Sequence, residues 1–223
     1  MEKYAVIVAG GSGQRMGNAT PKQFLMLNNK PILYYSIIAF LQAYPDIQIV
    51  LVLPENYMAE GKSIISAHQL PEKNFTIVAG GSTRFHSVQN GLKQVKSNAV
   101  VFVHDAVRCM LTVDLIKRCY EQTLQLGSAI PAITATDSIR IEKENYPEIV
   151  DRNLVKIVQT PQTFLSSILL PAFQQEYQES FTDEATVVES FRTKIFLIEG
   201  EKNNIKVTTP IDLIIAENLL QQA

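Results

Sequence analysis

The sequence predicts an α/β fold in which a Rossmann-like, mostly parallel sheet is flanked by helices. Short runs of β-branched and apolar residues alternate with longer amphipathic stretches along most of the chain. Two of these runs end in glycine-rich loops, at residues 9–13 and 79–81, and a third, residues 100–103, ends in His104 and Asp105. Repeated βα units of this kind form parallel sheets that helices cover on both faces.

The alternation predicts seven strands and seven helices. The predicted strands cover residues 4–8, 47–53, 75–78, 100–103, 128–133, 155–159 and 195–198. The predicted helices cover residues 32–42, 57–68, 85–96, 113–126, 166–177, 184–191 and 211–221. Pro31 and Pro210 stand at helix starts, where the first turn tolerates a residue without a backbone N–H. A chain of 223 residues suits a single domain, residues 1–223.

Residues 137–153 interrupt the alternation. The segment SIRIE alternates like an exposed strand, and the following KENYP reads as a turn. We therefore expect a protruding β-hairpin arm at about 137–153. A two-stranded arm is marginally stable alone in water, so we expect it to pack on a second subunit and form a homodimer. The alternative is an excursion that folds back on its own domain.

The composition restricts the classes of function. The chain is 46% hydrophobic and 19% charged, with a formal net charge of -2. That balance argues against broad nucleic-acid binding, which needs an extended basic surface. No apolar run approaches the ~18 residues of a membrane span, so we expect a cytoplasmic protein. Cys109 and Cys119 lack the spacing of a metal site or a disulfide framework, so we interpret them as packing residues.

The first glycine loop follows the first predicted strand, where ligands collect in parallel α/β sheets. Gly10, Gly11 and Gly13 allow successive N–H groups to face one anion. The spacing fits neither common phosphate loop, because no serine or threonine follows Lys22 and Met16 replaces a required glycine. Arg15 and Lys22 flank the loop and favour phosphate binding. The alternative is a tight structural turn.

The second glycine loop also follows a strand and opens a helix. Ser82, Arg84 and Ser87 form a small polar set that suits a base or a ribose. The alternative is a helix N-cap, formed by Ser82 or Thr83.

Asp105 ends a buried strand, which suits a Mg²⁺ ion that substrate phosphates also hold. The alternative role for Asp105 is a helix cap, and we interpret His104 as a structural histidine. Thr182 with Asp183 forms a capping pair before a predicted helix. Lys206 lies between two apolar residues, so on a strand it faces the opposite side, and the alternative to a site role is simple exposure to solvent.

Six segments, in this order, resemble the 2-C-methyl-D-erythritol 4-phosphate cytidylyltransferase family: GGSGQRMG…PKQF, GGSTRFHSV, HDAVR, DRN…QTPQTF, TDEA and NIKVT. Each is weak alone, but together they cover nearly the whole chain. The resemblance implies a nucleotidyltransferase fold and the reaction of CTP with methylerythritol phosphate, which gives the CDP-alcohol and pyrophosphate. It also implies a homodimer whose arms reach into the partner's site.

The family's functional residues transfer to this chain position by position. The residues implied to stabilise the transition state are Arg15 and Lys22, and those implied to hold the attacking phosphate are Lys206 and, from the partner's arm region, Arg152. The residues implied to bind the nucleotide are Ala9, Gly10, Gly11, Gly13, Gly81, Ser82, Ser87 and Ala106, with Asp105 near Mg²⁺. The residues implied on the alcohol-phosphate side are Arg108, Ser138, Thr160 and Thr182.

Three positions depart from the family pattern. HDAVRC replaces the frequent HDAARP, Ser138 replaces the usual threonine, and Asn203 stands where an acidic residue is often found. The last change leaves a second carboxylate for the metal in doubt.

Three other functions stay open. They are a ribitol 5-phosphate cytidylyltransferase, a non-catalytic nucleotide-binding protein of the same fold, and a sugar-1-phosphate nucleotidyltransferase that uses UTP or GTP.

The implied chemistry needs no general base. The nucleophile is a phosphate monoester whose second pKa is near 6, so it is mostly dianionic at neutral pH. The difficulty is bringing one anion to another, which calls for positioning and positive charge.

Overall fold

The computed structural model describes residues 1–9, 20–144 and 146–222, apart from the side chain of residue 222. Within them, strands β1 to β12 cover Glu2–Val8, Met26–Leu27, Lys30–Pro31, Gln48–Leu53, Phe75–Ala79, Ala99–Asp105, Ser128–Thr134, Ile139–Ile141, Glu148–Val150, Lys156–Val158, Gln162–Leu165 and Leu197–Glu199. Helices α1 to α7 cover Ile32–Ala43, Met58–Ala67, Arg84–Leu92, Val113–Leu126, Ser166–Ala172, Glu184–Ser190 and Pro210–Gln222.

The central sheet is mixed and mostly parallel, which confirms the predicted fold class. Its strands run in the order β10-β7-β11-β6-β1-β4-β5, and β12 pairs with β7 off this path. The pairs β1·β4, β1·β6, β4·β5 and β7·β12 are parallel. The pairs β6·β11, β7·β11 and β7·β10 are antiparallel.

The order in which the chain adds strands to the sheet reverses at β1. From β1 the chain passes through β4 to β5 on one side, and β6 then returns to the other side of β1. In register, Val8 at the end of β1 lies beside Asp105 at the end of β6. Open α/β sheets bind ligands beyond the carboxyl ends of the strands at such a switch point. The topology therefore places the expected site next to Asp105.

Both faces of the sheet are buried, which explains the continuously apolar strands. In β1, Ala5 and Ile7 pack with α1 and α4, whereas Tyr4 and Val6 pack with α3 and α5. Alternate side chains of a strand point to opposite faces, so helices on both sides require apolar residues at every position. The two resulting cores hold β1 and β6 rigidly below the site.

The structure corrects several predicted elements. Strand β11 was not predicted, because its first two residues, Gln162 and Thr163, are polar although buried. Lys206 lies in irregular structure and not on a strand. The helices predicted at residues 85–96 and 166–177 end earlier, at Leu92 and Ala172.

The predicted hairpin is present as the antiparallel pair of β8 and β9, in which Ile139 pairs with Val150. Most of its side chains are exposed, including Ile141 and Ile149 at 52% and 72%. Its role in dimerisation stays a prediction. In the described residues, no helix combines the length and the apolar character that crossing a bilayer requires.

Candidate active site

Two adjacent cavities open at the switch point. The larger cavity, about 440 Å³, is lined by the ends of β1 and β6, the turn of Lys22 and the loop before α3. The smaller cavity, about 230 Å³, is lined by Arg108, the loop between β10 and β11, and Thr182. Arg84, Asp105 and Lys206 line both cavities. The two cavities therefore meet at one charged cluster.

This charged cluster is a chain of alternating ion pairs. Lys206 Nζ donates to Asp105 Oδ2 at 2.8 Å. Arg84 Nε and Nη2 donate to Asp105 Oδ1 at 3.2 and 3.1 Å. Arg84 Nη1 and Nη2 also donate to Glu184 Oε1 and Oε2 at 2.6 and 3.1 Å. Two carboxylates and two cations thus balance, and Lys206 lies at the exposed end with 44% of its side chain accessible.

The cations keep Asp105 ionised although it is buried. Burial acts to raise the pKa of the Asp105 carboxyl, but the charges of Arg84 and Lys206 outweigh it and hold that pKa well below its ordinary value. Burial raises the pKa of Glu184, and the Arg84 guanidinium opposes this effect. Because Glu184 accepts from Arg84 with both oxygens, we assign it as a carboxylate at neutral pH.

The loop between β5 and α3 is fixed by its own hydrogen bonds. Thr83 caps α3 by accepting from the His86 N–H, so the capping alternative holds for Thr83. The Ser87 hydroxyl accepts from the Gly81 N–H at 3.0 Å and donates to the Thr83 carbonyl at 2.9 Å. A Cβ on Gly81 would collide with the His86 Cβ, so this close approach requires glycine. Ser82 is left exposed along the larger cavity.

Lys22 is placed at the end of β1 by its neighbour Gln23. Lys22 and Gln23 lie in a 3₁₀ turn, and the buried Gln23 amide donates to the Ala9 carbonyl at 2.6 Å. The Ala9 N–H donates to Val52 in β4 at 2.9 Å. Lys22 and Ala9 therefore both line the larger cavity, as predicted for one site.

Ala106 lies beside the larger cavity without lining it. Its N–H donates to the Val8 carbonyl and its carbonyl accepts from Ser36, so both backbone groups are already bonded. Ala106 continues the pairing of β6 with β1.

A buried hydrogen-bond network supports the smaller cavity. The Asp105 N–H donates to Thr160 Oγ1 at 3.1 Å, which leaves the Thr160 hydroxyl to donate to His104 Nδ1 at 3.0 Å. His104 Nε2 is then the protonated nitrogen and donates to the Arg108 carbonyl at 3.3 Å. Burial lowers the pKa of His104 to about 3. His104 is thus a neutral structural histidine, as interpreted from the sequence.

Arg108 is also held in place, because its Nη1 donates to the Asn204 carbonyl at 2.8 Å. Its buried Nε has no hydrogen-bond partner among the described residues. Arg108 therefore lines the smaller cavity with the Nε donor of its guanidinium uncommitted.

Thr182 reaches the smaller cavity through the start of α6. Asp183 is the N-cap of α6 and forms a capping box with Thr186, which confirms the predicted cap for Asp183 but not for Thr182. Gln162 in β11 donates to Asp183 at 2.8 Å and accepts from the Ala185 N–H at 2.8 Å. The unpredicted strand β11 thus fixes the position of the exposed Thr182.

Several predicted site residues lie elsewhere. Ser138 is exposed beside the hairpin and lines neither cavity. Arg152 donates to the Thr136 carbonyl at 2.9 Å and lines a separate cavity of about 700 Å³. The predicted residues Gly10, Gly11, Gly13 and Arg15 lie outside the described residues.

The residues around Asp105 suit a metal ion that takes some of its ligands from substrate. In the described part of the chain, no three His, Cys, Asp or Glu residues converge as a metal site. Mg²⁺ often binds one or two carboxylates together with substrate phosphates and water. The single carboxylate of Asp105 fits that mode and does not fit a metal cage built from protein ligands alone.

Sequence reasoning missed the role of Glu184. The sequence around Glu184 resembles an ordinary first helical turn, and only the fold reveals the ion pair of Glu184 with Arg84. Arg84 itself was grouped with residues for a base or ribose, yet four of its N–H groups donate to Asp105 and Glu184. No sequence signal connects residues 84 and 184.

A switch-point site in which Lys22 and Lys206, from separate segments, line two joined cavities is the arrangement expected of a nucleotidyltransferase. The family model described as "IspD: 2-C-methyl-D-erythritol 4-phosphate cytidylyltransferase" matches residues 4–222. The chain belongs to this family of cytidylyltransferases, which confirms the resemblance.

Relatives of the same description match over nearly their full length. A 2-C-methyl-D-erythritol 4-phosphate cytidylyltransferase of Phocaeicola vulgatus is 43% identical over 99% of this chain and 100% of its own. One of Azobacteroides pseudotrichonymphae is 44% identical over 98% and 99%. The solved 4-diphosphocytidyl-2C-methyl-D-erythritol synthase of Anaerococcus prevotii superposes with a TM-score of 0.84 at 26% identity, and covers 99% of this chain and 98% of its own.

Proposed function

We propose that the chain transfers a cytidylyl group from CTP to 2-C-methyl-D-erythritol 4-phosphate, in non-mevalonate isoprenoid precursor biosynthesis. The observation that carries the proposal is the pair of cavities that share Arg84, Asp105 and Lys206. The larger cavity takes the nucleotide, because it is lined by Ala9 at the end of β1 and by Gly81 of the second glycine loop. The smaller cavity takes the polyol phosphate.

The reaction forms a bond between an oxygen of the polyol phosphate and the α-phosphorus of CTP. The bond from the α-phosphorus to the bridging oxygen of the β-phosphate breaks, and pyrophosphate leaves with its electron pair. Lys22 in the larger cavity stabilises the charge on the triphosphate, together with Arg15. Lys206 lies between the cavities, where it holds the incoming phosphate against the nucleotide.

Asp105 is the residue that would hold Mg²⁺, and Mg²⁺ would neutralise charge on the triphosphate oxygens. The protein side chains do the remaining work. Gln23 holds Lys22 at the end of β1, and the Thr160 network holds the backbone of Asp105. Both devices fix geometry before substrate arrives.

We further propose a homodimer in which Arg152 and Ser138 act in the partner's site. Both lie outside the two cavities of their own chain, and the neighbouring hairpin exposes large apolar side chains. Complementation tests this idea. Arg152→Ala and Lys206→Ala enzymes should each be nearly inactive, and co-refolded mixtures should regain activity because a mixed dimer holds one intact site. Continued inactivity of the mixture, with dimers present, contradicts the proposal.

The substrate proposal is tested by measuring pyrophosphate release for CTP, UTP and GTP, each with methylerythritol phosphate and ribitol 5-phosphate. We expect release with CTP and methylerythritol phosphate. Preference for ribitol phosphate would identify the ribitol enzyme, and preference for UTP or GTP would indicate a sugar-1-phosphate nucleotidyltransferase. CTP binding without release would indicate a nucleotide sensor.

A further inference from the structure

Glu184 is a fully buried carboxylate whose only described hydrogen-bond donor is Arg84. Its side chain is 0% exposed, and both of its oxygens accept from that guanidinium. A buried ion pair is weak evidence of stabilisation, because two apolar residues often replace it at no cost. The position of this pair, within the charged cluster where the two cavities meet, indicates a role other than stability.

Arg84 is already engaged by the protein. An arginine has five N–H groups, and four of them donate to Glu184 and Asp105. One N–H remains, on Nη1. Arg84 is therefore poorly suited to bind a phosphate directly, although it lines both cavities.

Arg84 gives the two oxygens of Asp105 different roles. Oδ1 accepts twice from Arg84, at 3.2 and 3.1 Å, whereas Oδ2 accepts from Lys206 at 2.8 Å. A carboxylate held on one side by a planar guanidinium cannot rotate freely. It then presents one oxygen, Oδ2, at the junction of the cavities.

Arg84 is itself held by Glu184. Glu184 lies in the first turn of α6, which the Asp183 capping box and Gln162 fix to β11. The bidentate contact determines the plane of the guanidinium and prevents it from turning toward an incoming phosphate. The position of α6 is thus transmitted to Asp105 through one side chain.

We propose that Glu184 and Arg84 are positioning residues that hold the Asp105 carboxylate so that only its Oδ2 faces Lys206. Lys206, held in this way, aligns the polyol phosphate with the nucleotide. The proposal rests on the proposed cytidylyl transfer. It assigns the pair no contact with the reacting atoms. Loss of the Glu184–Arg84 pair should therefore lower kcat more than it raises the KM for CTP.

The main test is the double variant Arg84→Met with Glu184→Met, measured by pyrophosphate release and thermal unfolding. Removing both charges leaves no lone buried ion, so we expect a melting temperature close to that of the wild type. We expect kcat to fall roughly 10- to 100-fold, the loss typical of a misplaced reacting group, and the KM for CTP to change less than about threefold. A kcat equal to that of the wild type overturns the proposal.

Two single variants keep the proposal testable if the double variant does not fold. Glu184→Gln has nearly the same shape and should lower kcat by about 5- to 10-fold, because its amide holds the guanidinium with one oxygen. Arg84→Lys keeps the positive charge, but a lysine cannot bridge both carboxylates, so its kcat should fall at least as far as that of Glu184→Gln. A Glu184→Gln enzyme with unchanged kcat and lower stability would show a purely structural role and overturn the proposal.

Lys3→Met is the control, because its ion pair with Asp46 lies near the amino end of β1, at the opposite end of that strand from the site. Its kcat should match that of the wild type. A wild-type enzyme that releases no pyrophosphate would refute the proposed function. An active wild type with an equally active double variant would refute the positioning role alone.

Discussion

The two cavities that meet at Asp105 are built differently. The larger cavity is lined by loop backbone and by side chains such as the exposed Ser82. The smaller cavity is lined by groups that already bond to one another, such as Thr160 with His104 and Arg108 with Asn204. The hydrogen bonds around the smaller cavity therefore join segments that are far apart in the sequence, whereas those of the loop at the larger cavity, such as Ser87 with Gly81, join near neighbours.

The largest effect is expected for Lys206, because it lines both cavities. Lys206→Ala should lower kcat by about 10²- to 10³-fold and raise the KM for both substrates, since a preorganised charge is lost where they meet. Asp105 keeps its partner Arg84, so the variant should fold. Steady-state kinetics with each substrate varied measures both effects.

Lys202→Ala is the matched control, since Lys202 is exposed and lines neither of these two cavities. It should retain the wild-type kcat. If Lys206→Ala raised the KM for one substrate only, Lys206 would act in a single cavity. The two cavities would then not share this residue in function.

Lys22 lines only the larger cavity, so its effect should be smaller and one-sided. Lys22→Ala should lower kcat by about 10²-fold and leave the KM for the polyol phosphate nearly unchanged. The exposed Lys62 supplies the control Lys62→Ala. Wild-type turnover in Lys22→Ala would refute its assignment to the triphosphate.

Thr160 and Ser82 compare the two cavities through stability. Thr160→Val removes a hydroxyl that His104 and the Asp105 N–H both use, so the free energy of unfolding should fall by about 1–3 kcal/mol. Ser82→Ala removes an exposed hydroxyl and should change that energy by less than about 0.5 kcal/mol. Urea denaturation of both variants measures the difference. Equal losses would mean that the smaller cavity is not held more firmly.

Thiol alkylation gives the smallest effect and probes the loop beside the smaller cavity. Burial raises the pKa of Cys109 to about 11 and that of Cys119 to about 12. Because the thiolate is the reactive form, iodoacetamide at pH 8 should modify both far more slowly in the folded protein than in urea. Cys109 directly follows Arg108, so rapid modification of Cys109 alone, measured by mass spectrometry, would show that this loop opens.

The raised pKa values of Cys109 and Cys119 also determine how the free energy of unfolding changes with pH. Each folded thiol retains its proton above the pH at which the unfolded thiol loses it, so the stabilisation is complete below about pH 9. It should decline as the pH rises toward 11 and 12. Replacing Cys119 with alanine should remove its share of that alkaline loss, although the smaller side chain also lowers stability at every pH.

The accuracy of the predicted elements depends on where their stability comes from. Strands β1, β4 and β6 are buried on both faces, so their apolar runs revealed them to within one or two residues. Strand β11 was missed because Gln162 and Thr163 carry polar side chains into the interior. Gln162 is satisfied there by Asp183 and Ala185, which are about twenty residues away. Local patterns contain no such information.

The sequence alone determined the βα alternation, the glycine loops and the family motifs, because backbone preferences and strand burial act over a few neighbouring residues. It also brought Lys22, Asp105, Thr160, Thr182 and Lys206 forward as site residues. Tertiary structure decided which of them meet at one point and that Glu184 holds Arg84 against Asp105. Those contacts join residues up to a hundred positions apart, and ion pairs of that kind form only once the sheet order and the packing of α6 have brought the charges together.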